Sequence, residues 1–234
     1  QDKVINHLVA RYILYPAILP CLLDVNVASR KGLGTSEGIR LAMNFHRICK
    51  VKYKTYYILK CDISKFFASI DHDILKKKLE RRIKDKDALK IVFDIIDSEE
   101  NGLSIGAMTS QVLAIFYLND MDHFIKETLK IKYLIRYQDD FLLFHPSKQY
   151  LKYCLEELKK FLEKEKLVLN KKTRIYKSTN NFIFLGRKPN GNYAKYRHVR
   201  RKIKKRIHLY QTGEIKLTGV VNSIICYQNL CKKG

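Results

Sequence analysis

The sequence predicts an α+β fold built on a split β-α-β antiparallel sheet. Three observations predict it. Tyr56-Tyr57-Ile58-Leu59-Lys60-Cys61 is an aromatic and branched run that reads as a strand ending on an acid, Asp62. Two more short apolar runs, Tyr133 to Ile135 and Phe141 to Phe144, flank Arg136-Tyr137-Gln138-Asp139-Asp140 and read as a hairpin buried against a core. Elsewhere apolar residues recur at helical spacing, giving the order strand, helix, helix, hairpin, helix, strand.

Lys3 to Leu23 is expected to be helical, with Val4, Leu8, Tyr12 and Leu14/Tyr15 on the inner side until Pro16 and Pro20 interrupt. Ser29 to Thr35 is a basic, glycine-bearing loop, and Thr35 is the expected N-cap of a helix through Ile39, Met43 and Ile48. After the first strand, Asp71 or Asp73 caps a charged helix through Leu75 and Leu79 to Arg82, and another helix spans Ala88 to Ile96. Gly102 to Gly106 is a tight loop before a helix that begins at Thr109 and turns Val112, Phe116 and Met121 inward. The hairpin follows, then an amphipathic helix over Lys148 to Lys164. Short strands at Leu167 to Leu169, Ile175-Tyr176 and Phe182 to Leu185 close the region. The remainder is basic and mostly helical, with Val199, Ile203, Ile207 and Tyr210 as an inward seam. A composition shift near Asn170 to Gly186 is the candidate boundary.

A chain of 234 residues, 46% of them hydrophobic, can bury a substantial core as one large domain or two small ones. No apolar run approaches the roughly 18 residues of a membrane span, and the polar start offers no signal peptide. Six scattered cysteines without a Cys-x-x-Cys argue for a reduced, cytoplasmic protein without structural zinc. The strongest global signal is charge: 46 Lys and Arg against 23 Asp and Glu give +23. Lys171 to Gly234 carry 17 basic residues and one acid, Glu214, so +16 of that total lies in the C-terminal segment. A field of that size drives counterion release from a polyanion. Anionic membrane is the rival partner, but the basic segment carries Tyr and β-branched residues rather than a continuous lipid-facing stripe. Nucleic acid is favoured and no membrane is expected.

Burying adjacent anions such as Asp139 and Asp140 costs several kcal/mol unless cations pair with them or a metal coordinates them. Arg136 is the nearest cation in sequence, and one Arg cannot neutralise a pair pointing out of a turn. A divalent metal can; the alternative is a solvated Asp-Asp turn. In a split β-α-β sheet Asp62 and Asp139 can lie side by side although 77 residues separate them. Three carboxylates converging there would hold two Mg²⁺ about 4 Å apart, the arrangement used for nucleotidyl transfer.

Cys61-Asp62-Ile63-x-x-Phe66-Phe67-x-x-Ile70, Gly102 to Gln111, Tyr137 to Asp140 and Phe184-Leu185-Gly186 resemble successive blocks of reverse transcriptases in order and spacing. The resemblance covers nearly the whole chain. Ile105-Gly106-Ala107-Met108-Thr109-Ser110-Gln111 is similar to the fourth block of diversity-generating retroelement enzymes, where group II intron, retron and retroviral relatives usually carry Gln-Gly and Ser-Pro. Ser29-Arg30-Lys31-Gly32-x-Gly34-Thr35 and Asn119-Asp120-Met121-Asp122 also suit that branch, whereas Gln138 is less usual there than an aliphatic residue.

The resemblance implies a right-hand polymerase with partial fingers at 1–55, a palm at 56–186 and a basic helical thumb at 187–234. It implies Asp62, Asp139 and Asp140 as ligands of Mg²⁺ or Mn²⁺, with the Ile63 carbonyl completing one site. Phe67 falls where the family places its sugar gate, a ring that clashes with a ribose 2′-hydroxyl; the alternative is ordinary core beside Phe66. Ile105, next to Gly106 in the nucleotide pocket, replaces a Gln that contacts the incoming nucleotide and template in relatives. That swap means either a relaxed base check or plain packing under the palm. Lys172 matches a block whose Lys protonates the leaving pyrophosphate, or is a solvated Lys. Arg30 and Lys31 reach template or triphosphate, or form a solvated basic loop. Phe184, Leu185 and Gly186 resemble the primer grip. Arg197, Arg200, Arg201, Lys204 and Lys205 lie on a thumb helix that tracks phosphate backbone without reading bases.

The implied activity is RNA-directed DNA polymerisation, error-prone and part of a diversity-generating retroelement. Its partners would be an RNA template, a DNA or RNA primer, the RNA–DNA hybrid, dNTPs and a basic accessory protein. The alternatives are a group II intron or retron reverse transcriptase and a non-catalytic RNA-binding maturation factor that keeps the fold. The family's fingers open with a basic β-hairpin upstream of the Asp2-Lys3-Val4 block; with Gln1 as the first residue, partial fingers are expected.

Overall fold

A computed structural model describes residues 2–180, 182–188 and 196–222. The N-terminal helical segment runs on through its prolines: α1 (Asp2–Val9), a π-helical turn at Ala10–Leu14, α2 (Tyr15–Ile18) and a 3₁₀ turn at Leu19–Cys21. Pro16 and Pro20 each stand in the first turn of their element, where the missing N–H is tolerated. The expected inner face is corrected. Val9, Ala10, Leu14 and Ile18 are buried, while Val4, Leu8 and Tyr12 are more than half exposed. The segment is apolar on both sides, so spacing alone does not choose the face that packs. By length and composition Lys3–Cys21 is also long and apolar enough to cross a membrane, a run that the prolines disguise in the sequence.

α3 (Thr35–Lys52) has Gly34 as its N-cap, so Thr35 is its first residue rather than the cap. β1 (Tyr57–Cys61) leads through a 3₁₀ turn at Phe66–Ser69 into α4 (His72–Glu80). Asp71 caps α4, its carboxylate accepting from the Ile74 amide at 3.0 Å. α5 (Lys86–Asp97), α6 (Met108–Tyr117) and α7 (Asn119–His123) follow, the last continuing as a π-helical turn at Phe124–Thr128. β2 (Tyr133–Tyr137) and β3 (Asp140–His145) form the hairpin, α8 (Lys148–Lys164) has the expected bounds, and β4 (Arg174–Lys177) closes the sheet. The other two late strands are not realised: Leu169 makes one isolated bridge to Ile63, and Phe184 bridges Arg187 across a turn.

The strands lie in the order β2-β3-β1-β4, each pair antiparallel. Alternation puts Leu134, Leu143, Phe141, Leu59 and Cys61 on one face, in a single core with Val112 and Phe116 of α6, Met121 of α7 and Leu151, Cys154 and Leu158 of α8. The other face carries Ile135, Leu142, Phe144 and Ile58. There Phe45 of α3 stands 5.4 Å from the Tyr133 ring and 6.0 Å from that of Phe144.

Arg136, the nearest cation in sequence to the acidic pair, is fully buried and engaged elsewhere. Its Nε and Nη2 donate to the two oxygens of buried Asp122 at 2.7 and 2.6 Å, and further N–H groups reach the carbonyls of Ile115 (3.1 Å) and Gln138 (3.0 Å). Buried Lys78 ties α4 to Asp120 at 3.0 Å, Glu165 at 2.7 Å and the Tyr117 carbonyl at 2.9 Å. Both cations join helices to the sheet or to one another with every charge paired, the condition for burying charge at all.

The chain divides into two compact units, Gln1–Asn180 and Asn181–Gly234. The second holds the turn at Phe184–Arg187, α9 (Tyr196–Gln211) and helical residues 217–222. The expected inward seam of α9 is not sealed: Ile207 and Tyr210 are 39% and 43% exposed. One apolar residue per turn on so basic a helix makes a stripe too narrow to exclude water. Val199 lies outside the residues whose side chains are described.

Candidate active site

β1 and β3 bring Asp62 to Asp140. Lys60 pairs with Leu142 and Cys61 with Phe141, so the next residue of the chain, Asp62, falls level with Asp140. Alternation sends Lys60, Asp62, Asp140 and Leu142 to the same face of the sheet. Asp139 sits in the two-residue turn between the paired Tyr137 and Asp140. Burial raises the Asp139 carboxyl above its ordinary value, and the Asp62 charge adds to the rise. Burial lifts Asp140 further, to about 6, against the lowering pull of Lys60.

The Lys60 ammonium lies 2.9 and 3.0 Å from the two Asp140 oxygens, and both side chains are about one-fifth exposed. Sequence reasoning passed over this residue, although a Lys two positions before Asp62 on a strand must share its face. Among the described residues no group of three His, Cys, Asp or Glu is arranged to hold a metal ion. The expected metal set is therefore brought together by register but not drawn into a closed cage. Its chemistry suits a hard divalent cation, since every donor is a carboxylate or carbonyl oxygen. Lys60 supplies a positive charge at the same place. The Asp62 carbonyl accepts from the Asn170 amide (2.7 Å) and the Ser64 amide donates to Val168 (2.9 Å). By alternation the Ile63 carbonyl faces the opposite edge, toward the hairpin.

Gln138, in the turn, takes a left-handed φ of 55°, a conformation worth about 1–3 kcal/mol of strain for a non-glycine residue. Tertiary bonds hold it. Its carbonyl accepts from Arg136, and its Nε2 donates to the Ser29 hydroxyl at 2.9 Å. The Ser29 hydroxyl donates in turn to Gln111 Oε1 at 3.4 Å, and the Ser29 carbonyl accepts from the Tyr15 hydroxyl at 2.9 Å. Ser29 thus joins the basic loop, the first turn of α6 and the acidic turn, three segments far apart in sequence.

Ile105 is 89% exposed in the loop before α6, so it does not pack under the sheet. Gly106 beside it takes φ 107°, which an L side chain rarely adopts. Phe67 is half-buried, its ring edge-on to Phe66 at 5.7 Å. The two cations of the loop differ: the Arg30 guanidinium braces the preceding segment through Leu23, Asn26 and Asp24, whereas Lys31 is exposed. Lys172 is exposed, and its amide donates to the Asn170 side chain at 3.0 Å. Since Asn170 is bonded to Asp62, the Lys172 loop is anchored at the acidic end of β1. In the second unit Phe184 and Arg187 exchange two backbone bonds of 2.9 Å around Leu185 and Gly186, at φ 49° and 80°. Lys204 and Lys205 are exposed on α9; the side chains of Arg197, Arg200 and Arg201 lie outside the described residues.

A family model described as reverse transcriptase (RNA-dependent DNA polymerase) matches residues 1–188. No curated protein matches the chain significantly. Among solved structures it is similar to apo telomerase from Candida tropicalis truncated from its C-terminal domain, at 18% identity and a TM-score of 0.59, covering 80% of this chain and 45% of that one. It is similar also to telomerases from Candida albicans (15%, TM-score 0.56, 80% and 36%) and Candida tropicalis (14%, TM-score 0.56, 83% and 36%), each in complex with a TWJ fragment of telomeric RNA. At such identities the likeness speaks for the fold, and it bears out the right-hand polymerase architecture expected from the sequence. The chain spans less than half the length of each of these structures. The family match, in contrast, runs over most of the chain and takes in the end of β1, the loop before α6 and the acidic turn, so the chain belongs to the reverse transcriptase family.

Proposed function

We propose that this chain is the polymerising part of an RNA-directed DNA polymerase that adds dNMPs to a DNA or RNA primer on an RNA template. The observation that carries the reading is the register of β1 and β3, which sets Asp62 level with Asp140 and next to the turn holding Asp139. These three carboxylates and the Ile63 carbonyl would hold Mg²⁺ or Mn²⁺, which would supply activation of the primer 3′-hydroxyl and neutralisation of the developing phosphate charge. The remaining roles belong to the chain itself. Arg136 and Ser29 hold the strained turn, so Asp139 and Asp140 keep their orientation. Lys60 neutralises Asp140 whenever its oxygens are not otherwise engaged. Lys172 is the proposed donor of a proton to the departing pyrophosphate, a role supported by its exposure on a loop tied to Asp62. Phe67 acts as the sugar gate.

The finer reading is a diversity-generating retroelement enzyme that copies with errors. The block Ile105 to Gln111 supports the branch, and the exposure of Ile105 supports the error rate, because an exposed aliphatic group offers a base no hydrogen bond. Two of the related telomerase structures hold a fragment of telomeric RNA; here an RNA template and an RNA–DNA hybrid on the basic segment are the corresponding proposal, with a basic accessory protein alongside. Cys21, Cys49, Cys61 and Cys154 are free thiols, which supports a reducing, cytoplasmic setting. Incubation with primer, RNA template, dNTPs and Mg²⁺ tests the proposal. Elongation that a chelator stops is expected, and RNA binding with no elongation under either metal would favour the maturation-factor alternative.

A further inference from the structure

We infer that Gly102 and His72 are the positioning residues of the sugar gate, setting how strongly the enzyme prefers deoxyribonucleotides over ribonucleotides. The inference rests on the proposed role of Phe67. Phe67 stands in a single 3₁₀ turn, Phe66–Ser69, entered through Lys65 at a left-handed φ of 47°. So short a 3₁₀ turn has little stability of its own, and its ring stays where tertiary contacts hold it.

Those contacts come from one place. Gly102, at φ 68°, lies against the backbone of the turn: a Cβ there would stand 2.3 Å from the Phe67 carbonyl oxygen and 2.6 Å from Ala68 Cα. The neighbouring Leu103 amide donates to that Phe67 oxygen at 2.8 Å. His72, first residue of α4, fixes the glycine from behind, its Nε2 donating to the Gly102 carbonyl at 2.6 Å. His72 is itself held, because Asp71 caps α4 and accepts from Lys166 at 2.5 Å. The Gly102–Leu103 loop thus clamps the main chain of Phe67, and His72 at the start of α4 buttresses that loop. A gate discriminates by sub-ångström clearance, and displacement of about 1 Å at a reacting site changes rates on the order of a hundredfold.

Relaxing the clamp should cost discrimination before it costs polymerisation. Gly102→Ala forces the turn to move. His72→Phe keeps the ring volume and removes the donor, so the test stands even where Gly102→Ala does not fold. His72→Gln restores an N–H near the position of Nε2. The measurement is kcat/KM for a ribonucleotide and for its deoxy counterpart on one RNA template, with thermal melts to confirm folding. Phe67→Ala serves as the control for the gate itself. Support is a roughly tenfold or larger rise in relative ribonucleotide use in Phe67→Ala and His72→Phe, dNTP use little changed in the latter, and recovery in His72→Gln. If Phe67→Ala opens the gate while folded His72→Phe and Gly102→Ala discriminate as the parent does, the clamp is refuted and the gate stands. If Phe67→Ala changes nothing, Phe67 is core and both readings fall.

Discussion

Asp140 titrates at about 6 instead of 3.8 because burial disfavours its charge more than Lys60 favours it. A folded value above the unfolded one means that ionisation weakens the fold as pH rises from about 4 to about 6, with the loss fully present above that window. Asp140→Asn, which stays neutral, should melt higher than the parent at pH 7, with the difference closing near pH 4. Thermal melts across that range check it, and an equal gap at both ends would point to a packing effect. Ile105 carries the second prediction at this scale. Ile105→Gln introduces a hydrogen-bonding check worth about 1–2 kcal/mol, so misincorporation should fall roughly fivefold to thirtyfold. Sequencing products copied from one RNA template by both enzymes decides it, equal error spectra being the contrary result. The three acids were legible because each ends or interrupts an apolar run. That Lys60 shares a face with Asp62 was legible from the spacing, but its ion pair with Asp140 was not, because only the pairing of Lys60 with Leu142 brings that acid alongside.

At the scale of elements, periodicity served where one face is polar and failed where both are apolar. The hairpin and α8 stand where their patterns put them, whereas the inner side of α1 and α2 was misread because Val4, Leu8 and Tyr12 compete with Val9, Leu14 and Ile18. The pairing of Arg136 with Asp122 was illegible for another reason. Nothing local says that α7 passes behind β2, and only the tertiary structure brings the two together. Asp122→Ala would leave a buried guanidinium unpaired beside the acidic turn, and a destabilisation of about 3–5 kcal/mol is expected. Urea unfolding measures this. A loss under about 1 kcal/mol would mean that Arg136 finds another acceptor. The double change Asp122→Ala with Arg136→Met should recover much of the stability, because no charge then remains without a partner.

For the molecule as a whole, a net +23 favours association with a polyanion. Binding of an RNA–DNA hybrid should weaken steeply with salt, by roughly tenfold between 50 and 200 mM for as few as two released phosphate contacts. A flat dependence would contradict the electrostatic account. We propose that Asp62, Asp139 and Asp140 form one catalytic centre in a protein that binds nucleic acid independently of them. The most direct measurement is primer extension by Asp139→Asn beside its affinity for the primer–template. Extension should be abolished while binding is retained, since the change removes an anionic oxygen and leaves the basic surface intact. Extension near the parental rate would contradict it.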